Sequence, residues 1–201
     1  MLKVGLTGGL ACGKSFVGEV LASYGCLLIQ ADELGHEVLA TGGEAYQPVI
    51  REFGSEIVGA DGQIDRRRLA ARVFGDHEAL ARLNALVHPP VVRREEQLIE
   101  GFRAQQPHGI AIVEGAILIE TGSYRRFDRL ILVVCAEEQQ LERAMRRKGA
   151  AEADVRARLA NQMPLDEKRK FADFVIDTSR AKEDTLRQTR AVYEELRRIE
   201  V

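Results

Sequence analysis

The sequence predicts an α/β fold built on a parallel sheet, and two observations carry that prediction. Three segments, Leu2 to Thr7, Gly109 to Val113 and Arg129 to Cys135, are continuous apolar runs, the pattern of strands covered by helices on both faces. Helical periodicity fills the stretches between them, and such alternation is what parallel strands with crossover helices require. The length, 201 residues with 45% hydrophobic ones, suits one domain with lobes and excludes a disordered chain.

In chain order, the first strand runs straight into a Gly-rich turn and a helix over Lys14 to Tyr24. A short strand follows at Cys26 to Gln30, then helices over Ala31 to Leu39, Glu44 to Phe53, Arg66 to Phe74, Glu78 to Val87 and Pro90 to Gln105. That stretch reads as nearly all helix and is far longer than an ordinary crossover, so it is an insertion between the second and third strands. Pro89-Pro90 is expected to end one helix and start the next, because the residue before Pro avoids the helical region and Pro fits a first turn. After the third and fourth strands come helices over Glu137 to Lys148 and Glu152 to Gln162, a short strand at Phe174 to Ile176, and a last helix over Lys182 to Ile199.

Composition narrows the function. The formal net charge is -2, so no general basic field argues for nucleic acid or an anionic membrane. No apolar run approaches the roughly 20 residues of a spanning helix, and the start, Met1-Leu2-Lys3-Val4, has no leader pattern, so a cytoplasmic location is expected. Cys12, Cys26 and Cys135 lie far apart in the chain and read as reduced thiols filling core or loop.

The strongest signal is Gly8-Gly9-Leu10-Ala11-Cys12-Gly13-Lys14-Ser15, a phosphate loop lying between a strand and a helix. Glycines let the backbone curl around an anion at a helix N-terminus. Lys14 can reach the β and γ phosphates, and the Ser15 hydroxyl can ligate Mg²⁺. The expected fold is therefore that of the three-layer phosphate-loop nucleoside triphosphatases, and a guanine-specific switch protein is disfavoured, since no Asn-Lys-x-Asp motif occurs.

A kinase also needs an acceptor base and a basic cover over the phosphates. Asp32 stands just past the second strand, at the sheet edge where ligands bind, and is read either as that base or as a helix cap. Glu114 ends the third strand and is read either as holding the metal's water shell or as a surface carboxylate. Arg143, Arg146, Arg147, Lys148, Arg156 and Arg158 flank Gly149 and suggest a hinged basic lid, although at least half of such a run is expected to be solvated surface.

Taken together, these residues resemble the dephospho-coenzyme A kinase family over nearly the whole chain. The start Val4-Gly-Leu-Thr-Gly-Gly-Leu-Ala-Cys-Gly-Lys-Ser15 is similar to the family's opening, with Ala11 and Cys12 in place of Gly and Ser and Phe16 in place of Thr. Gln30-Ala31-Asp32 stands for Asp-Ala-Asp, with one carboxylate where the family has two. Further matches are Leu83-Asn84-Ala-Leu-Val-His88-Pro89, Gln140-Leu141-Glu142-Arg143 and Gln162-Met-Pro-Leu-Asp-Glu-Lys168. The resemblance implies phosphorylation of the ribose 3′-hydroxyl of dephospho-coenzyme A by ATP with Mg²⁺. It implies a core of about 1–30, 107–136 and 170–201, a helical substrate lobe of about 31–106 and a lid of about 140–166. It also makes Asp32 the base, sets Asp32 and His88 against the acceptor, offers Arg143 and Arg147 as lid cations, and puts Asp177 of Asp177-Thr178-Ser179 beside adenine. A monomer or weak homo-oligomer is expected. The alternatives are a kinase for another small acceptor, such as a nucleoside, a nucleotide or shikimate, and a non-enzymatic nucleotide-gated binding protein.

Overall fold

The computed structural model describes residues 1–73, 75–146, 152–160 and 162–199. Five strands form one sheet in the order β2-β3-β1-β4-β5, with β1 Leu2–Gly8, β2 Leu27–Gln30, β3 Ile110–Glu114, β4 Arg129–Val134 and β5 Phe174–Asp177. The pairs β1 with β3, β1 with β4 and β4 with β5 are parallel. All five residues of β3 are buried, as the unbroken apolar run predicts.

Two compact units divide the chain: residues 1–29 with 101–201, and residues 30–100. In the first, Leu2, Val4, Leu6, Ile110, Ile112, Ile131, Val133 and Ile176 of the sheet share a core with Val17 and Leu21 of α1 (Lys14–Ser23) and with Val192 and Leu196 of α9 (Lys182–Leu196). Helices α6 (Glu137–Met145), α7 (Glu152–Ala160) and α8 (Leu165–Arg169) complete this unit. The five-residue α8 was not foreseen, being too short to show a period.

The second unit holds α2 (Ala31–Leu39), α3 (Tyr46–Phe53), α4 (Arg66–Val73) and most of α5 (His77–Gln105). Its own core gathers Val38, Tyr46, Val49, Phe53, Ile57, Ile64 and Leu69. Asp65 accepts from the backbone N–H groups of Arg67 and Arg68, and Asp76 from that of Ala79, so an aspartate stops the orphan donors at the start of both α4 and α5. Between α3 and α4 the chain makes one short 3₁₀ helix, Ser55–Ile57, with Gly54 and Gly62 at φ 88° and 76° and an isolated antiparallel bridge from Val58 to Ile64.

One expectation fails here. Pro89 and Pro90 lie inside a single 29-residue helix and do not separate two helices. Each proline removes one backbone donor, but the helical bonds on either side continue, and burial of Pro90 together with Glu95 and Ile99 holds the helix across the gap.

Candidate active site

The phosphate loop leaves the carboxyl end of β1, the central strand, and enters α1. Its shape follows from two positions. A Cβ on Gly8 would stand 2.3 Å from the Val133 carbonyl oxygen, so only glycine lets β1 lie so close to β4 there. Gly13 caps α1 at φ 84°, a left-handed conformation that favours glycine. Ala11 is the only non-glycine with positive φ among the described residues, at 55°. Such strain at a loop crest is held by its surroundings; here Ala11 packs with Ala144 of α6 and Val155 of α7.

Around this loop the structure gathers side chains from four distant segments. The Lys14 ammonium folds back on the loop, donating to the Gly9 carbonyl at 3.1 Å and reaching the Gly8 carbonyl at 3.5 Å. The Ser15 hydroxyl donates to Glu114 Oε1 at 2.9 Å, and Glu114 is buried. This removes the alternative of a surface carboxylate. Thr178, just after β5, donates its hydroxyl to the Cys12 carbonyl at 2.8 Å and receives Arg143 Nη1 at 3.0 Å, while Arg143 Nη2 donates to the Thr178 carbonyl at 2.8 Å. Arg143 thereby braces the loop through Thr178. Gln140 lies against Gly9, where an added Cβ would meet its Oε1 at 2.6 Å, and Phe16 carries the Lys182 ammonium over its ring at 4.7 Å.

Asp177 accepts from the Ser179 N–H at 2.8 Å, a local turn beside the loop. Burial pushes its carboxyl up, but the Ser179 hydrogen bonds and the charges of Arg169 and Arg180 outweigh that and hold it below the ordinary carboxylate range.

Cys12 and Cys135 lie 123 positions apart in sequence, yet their sulfurs sit 3.2 Å apart because β4 pairs with β1. Both are free thiols. Their shared hydrogen bond, with burial, pushes the Cys12 thiol up; the same bond, opposed by burial and aided by Arg143, lowers that of Cys135.

The remaining predicted residues belong to other places. Asp32 occupies the first turn of α2 and is exposed; the N-cap is Gln30, so Asp32 does not cap the helix, and its charge complements the helix dipole. His88 is half-buried in α5, and burial lowers its pKa from 6.5. Both belong to the 30–100 unit. Arg147 and Lys148 lie outside the described residues, as does the side chain of Arg158. Arg146 and Arg156 pair with Glu142 and Glu152 one turn earlier on exposed faces, which makes them solvated surface. Reasoning from sequence missed the brace through Thr178, the Gln140 contact and the meeting of the thiols, because each joins residues far apart in the chain. Two oxygen donors at hydrogen-bond distance, Ser15 and Glu114, suit a hard divalent cation that takes its other ligands from phosphates and water. Among the described residues, no group of three His, Cys, Asp or Glu side chains could hold a metal by itself.

Comparison with known proteins agrees with this geometry. The curated dephospho-CoA kinase of Aquifex aeolicus is 38% identical over 198 residues, covering 98% of this chain and 99% of that one. That of Bdellovibrio bacteriovorus is 40% identical over 185 residues, covering 92% and 91%. A crystal structure of a Thermus thermophilus protein superposes with a TM-score of 0.83 at 33% identity, covering 97% of each chain. The dephospho-CoA kinase of Campylobacter jejuni superposes with a TM-score of 0.68 at 27% identity, covering 96% of each. A shikimate kinase from Bacteroides thetaiotaomicron, at 11% identity, a TM-score of 0.52 and coverage of 97% and 98%, shares the fold alone. The family model described as CoaE, dephospho-CoA kinase, matches residues 2–184. With the phosphate loop built as that fold requires and relatives of this identity spanning almost the entire chain, the protein belongs to the dephospho-CoA kinase family.

Proposed function

We propose that the protein transfers the γ-phosphoryl group of ATP to the ribose 3′-hydroxyl of dephospho-CoA, giving coenzyme A and ADP, the last step of coenzyme A formation. The observation that supports this most is the phosphate loop: a left-handed Gly13 starting α1, a lysine aimed back over the loop, and a serine paired with a buried glutamate. In the reaction, the bond between the γ phosphorus and the oxygen it shares with the β phosphate breaks, and a bond to the 3′-oxygen forms. Backbone N–H groups and the α1 dipole hold the phosphates, Lys14 leaves the Gly9 carbonyl to neutralise the β and γ oxygens, and the Asp32 carboxylate takes the hydroxyl proton. Ser15, with Glu114 behind it, would hold Mg²⁺, which would supply further charge neutralisation. Asp177 and Thr178 border the adenine side of the loop, and the 30–100 unit, which carries Asp32 and His88, holds the acceptor. Arg147 is assigned to the lid with Arg143.

The test is ADP release with ATP and Mg²⁺ across dephospho-CoA, AMP, adenosine and shikimate, with phosphorus NMR of the product. Turnover confined to dephospho-CoA with the phosphate on the 3′-oxygen is expected. Equal use of adenosine or shikimate overturns the substrate; ADP release that ignores every acceptor overturns the kinase.

A further inference from the structure

The largest fully buried side chain among the described residues is a charged one, Lys168 of α8. Its ammonium lies 2.8 Å from Glu120 Oε1 and 3.4 Å from the Ala116 carbonyl, a carbonyl that also receives the Thr7 hydroxyl at 3.4 Å. The Glu120 side chain is 20% exposed. Burying an ammonium costs several kcal/mol before pairing, and apolar residues of equal volume commonly serve stability as well or better. The pair therefore needs a use other than stability, and its neighbours supply one. Glu120 Oε1 also accepts the backbone N–H of Met163 at 3.2 Å, and Met163 packs with Leu118, Ile119 and Leu130. The next residue back, Gln162, offers its Oε1 to the backbone N–H of Leu10 at 3.0 Å, inside the phosphate loop.

We propose that Lys168 and Glu120 are positioning residues for the phosphate loop, acting through Met163 and Gln162. The ion pair fixes the Glu120 carboxylate, that carboxylate fixes the backbone at Met163, and Gln162 is thereby aimed at Leu10. Its oxygen takes the Leu10 N–H and holds the loop crest beside the strained Ala11, so that the later N–H groups of the loop point at the nucleotide before it arrives. Pre-setting donors in this way removes a reorganisation cost that binding would otherwise bear. The inference rests on the kinase reading for what the loop holds. It also gives a use to the Gln162-to-Lys168 motif and to Glu120, which the mechanism above leaves without one.

The experiment measures Tm, calorimetric affinity for a non-hydrolysable ATP analogue with Mg²⁺, and separate KM values for ATP and dephospho-CoA. The variants are Gln162→Ala, the conservative Glu120→Gln, the apolar pair Lys168→Met with Glu120→Leu, and the triple combination. Gln162→Ala is expected to weaken the analogue about tenfold, the scale of one net hydrogen bond, with Tm and the KM for dephospho-CoA unchanged. Glu120→Gln, which keeps an acceptor oxygen for the Met163 N–H but leaves the buried ammonium without its counter-charge, is expected to retain wild-type affinity at a lowered Tm. The apolar pair is expected to keep or raise Tm and still weaken the analogue as Gln162→Ala does, and the triple variant to be no weaker than either. Wild-type analogue affinity in Gln162→Ala overturns the proposal, whether or not the buried variants fold. An apolar pair that folds and binds normally, or a triple variant in which the two losses multiply, overturns it as well. A wild-type protein that binds the analogue but does not phosphorylate dephospho-CoA would defeat the substrate reading and leave this test standing.

Discussion

The two units of the chain solve different problems by different means. In the unit of 1–29 and 101–201, a backbone loop is the binding device, and the strands on either side of β1, β3 buried throughout and β4 buried except at Arg129, hold it in shape. In the unit of 30–100, α2 to α4 and most of the long α5 pack around aromatic and aliphatic residues, and under the proposed function the groups offered to the acceptor are individual side chains such as the exposed Asp32. Backbone devices demand glycines at set places and leave a motif, whereas side-chain devices leave single residues with no local pattern. On the proposed function, the contrast predicts that the phosphate loop tolerates unusual side chains, here Ala11, Cys12 and Phe16, and that the unit carrying Asp32 does not.

The sharpest way to break that contrast is through Asp32. Asp32→Asn should lower the chemical step about 10²- to 10⁴-fold, the scale of one positioned acid or base, with affinity for an ATP analogue unchanged. A parallel fall in nucleotide affinity, measured by calorimetry, would move Asp32 to the nucleotide side and blur the division.

Lys14→Ala comes next, with turnover falling about 10²- to 10³-fold, as when one charge-stabilising donor is removed. Lys14 is half-buried at the loop, where its ammonium meets the Gly8 and Gly9 carbonyls and no core packing, so Tm should stay within a few degrees. Wild-type turnover would refute the phosphate-loop assignment.

Third, Ile112→Ala in the fully buried β3 should cost about 2 to 5 kcal/mol in chemical denaturation, because the flanking strands cannot close on the cavity. An exposed Leu80→Ala on α5 should cost well under about 1 kcal/mol. Equal losses would mean that the sheet does not provide the rigidity credited to it.

The smallest effect concerns His88. Burial disfavours its charged form, so its folded pKa lies below the ordinary 6.5 and the unfolded chain takes up the proton first as pH falls. Its neutral form thus contributes stability that is complete above about pH 6.5 and is lost as pH falls through the folded pKa. Thermal midpoints of wild type and His88→Gln should therefore converge between pH 7.5 and 5, the wild type losing more; parallel curves would show that the ring titrates freely.

By itself the sequence determined the α/β class, the positions of the five strands to within a residue or two, and the phosphate loop, because each is written in a local pattern: an apolar run, a helical period, a spacing of Gly, Lys and Ser. It also marked Glu114 at a strand end without saying whether the side chain faced solvent. Tertiary structure decided that, by bringing Ser15 within 2.9 Å of it across β1 and β3. Packing likewise overrode the local rule at Pro89-Pro90, since burial along one long helix outweighs two missing donors. The brace from Arg143 through Thr178 to Cys12, the contact of Cys12 with Cys135, and the buried Lys168 with its path to Leu10 all join segments that only the sheet order makes neighbours. Local patterns record what a segment needs from its own backbone, whereas pairings across a hundred residues depend on which strands lie side by side.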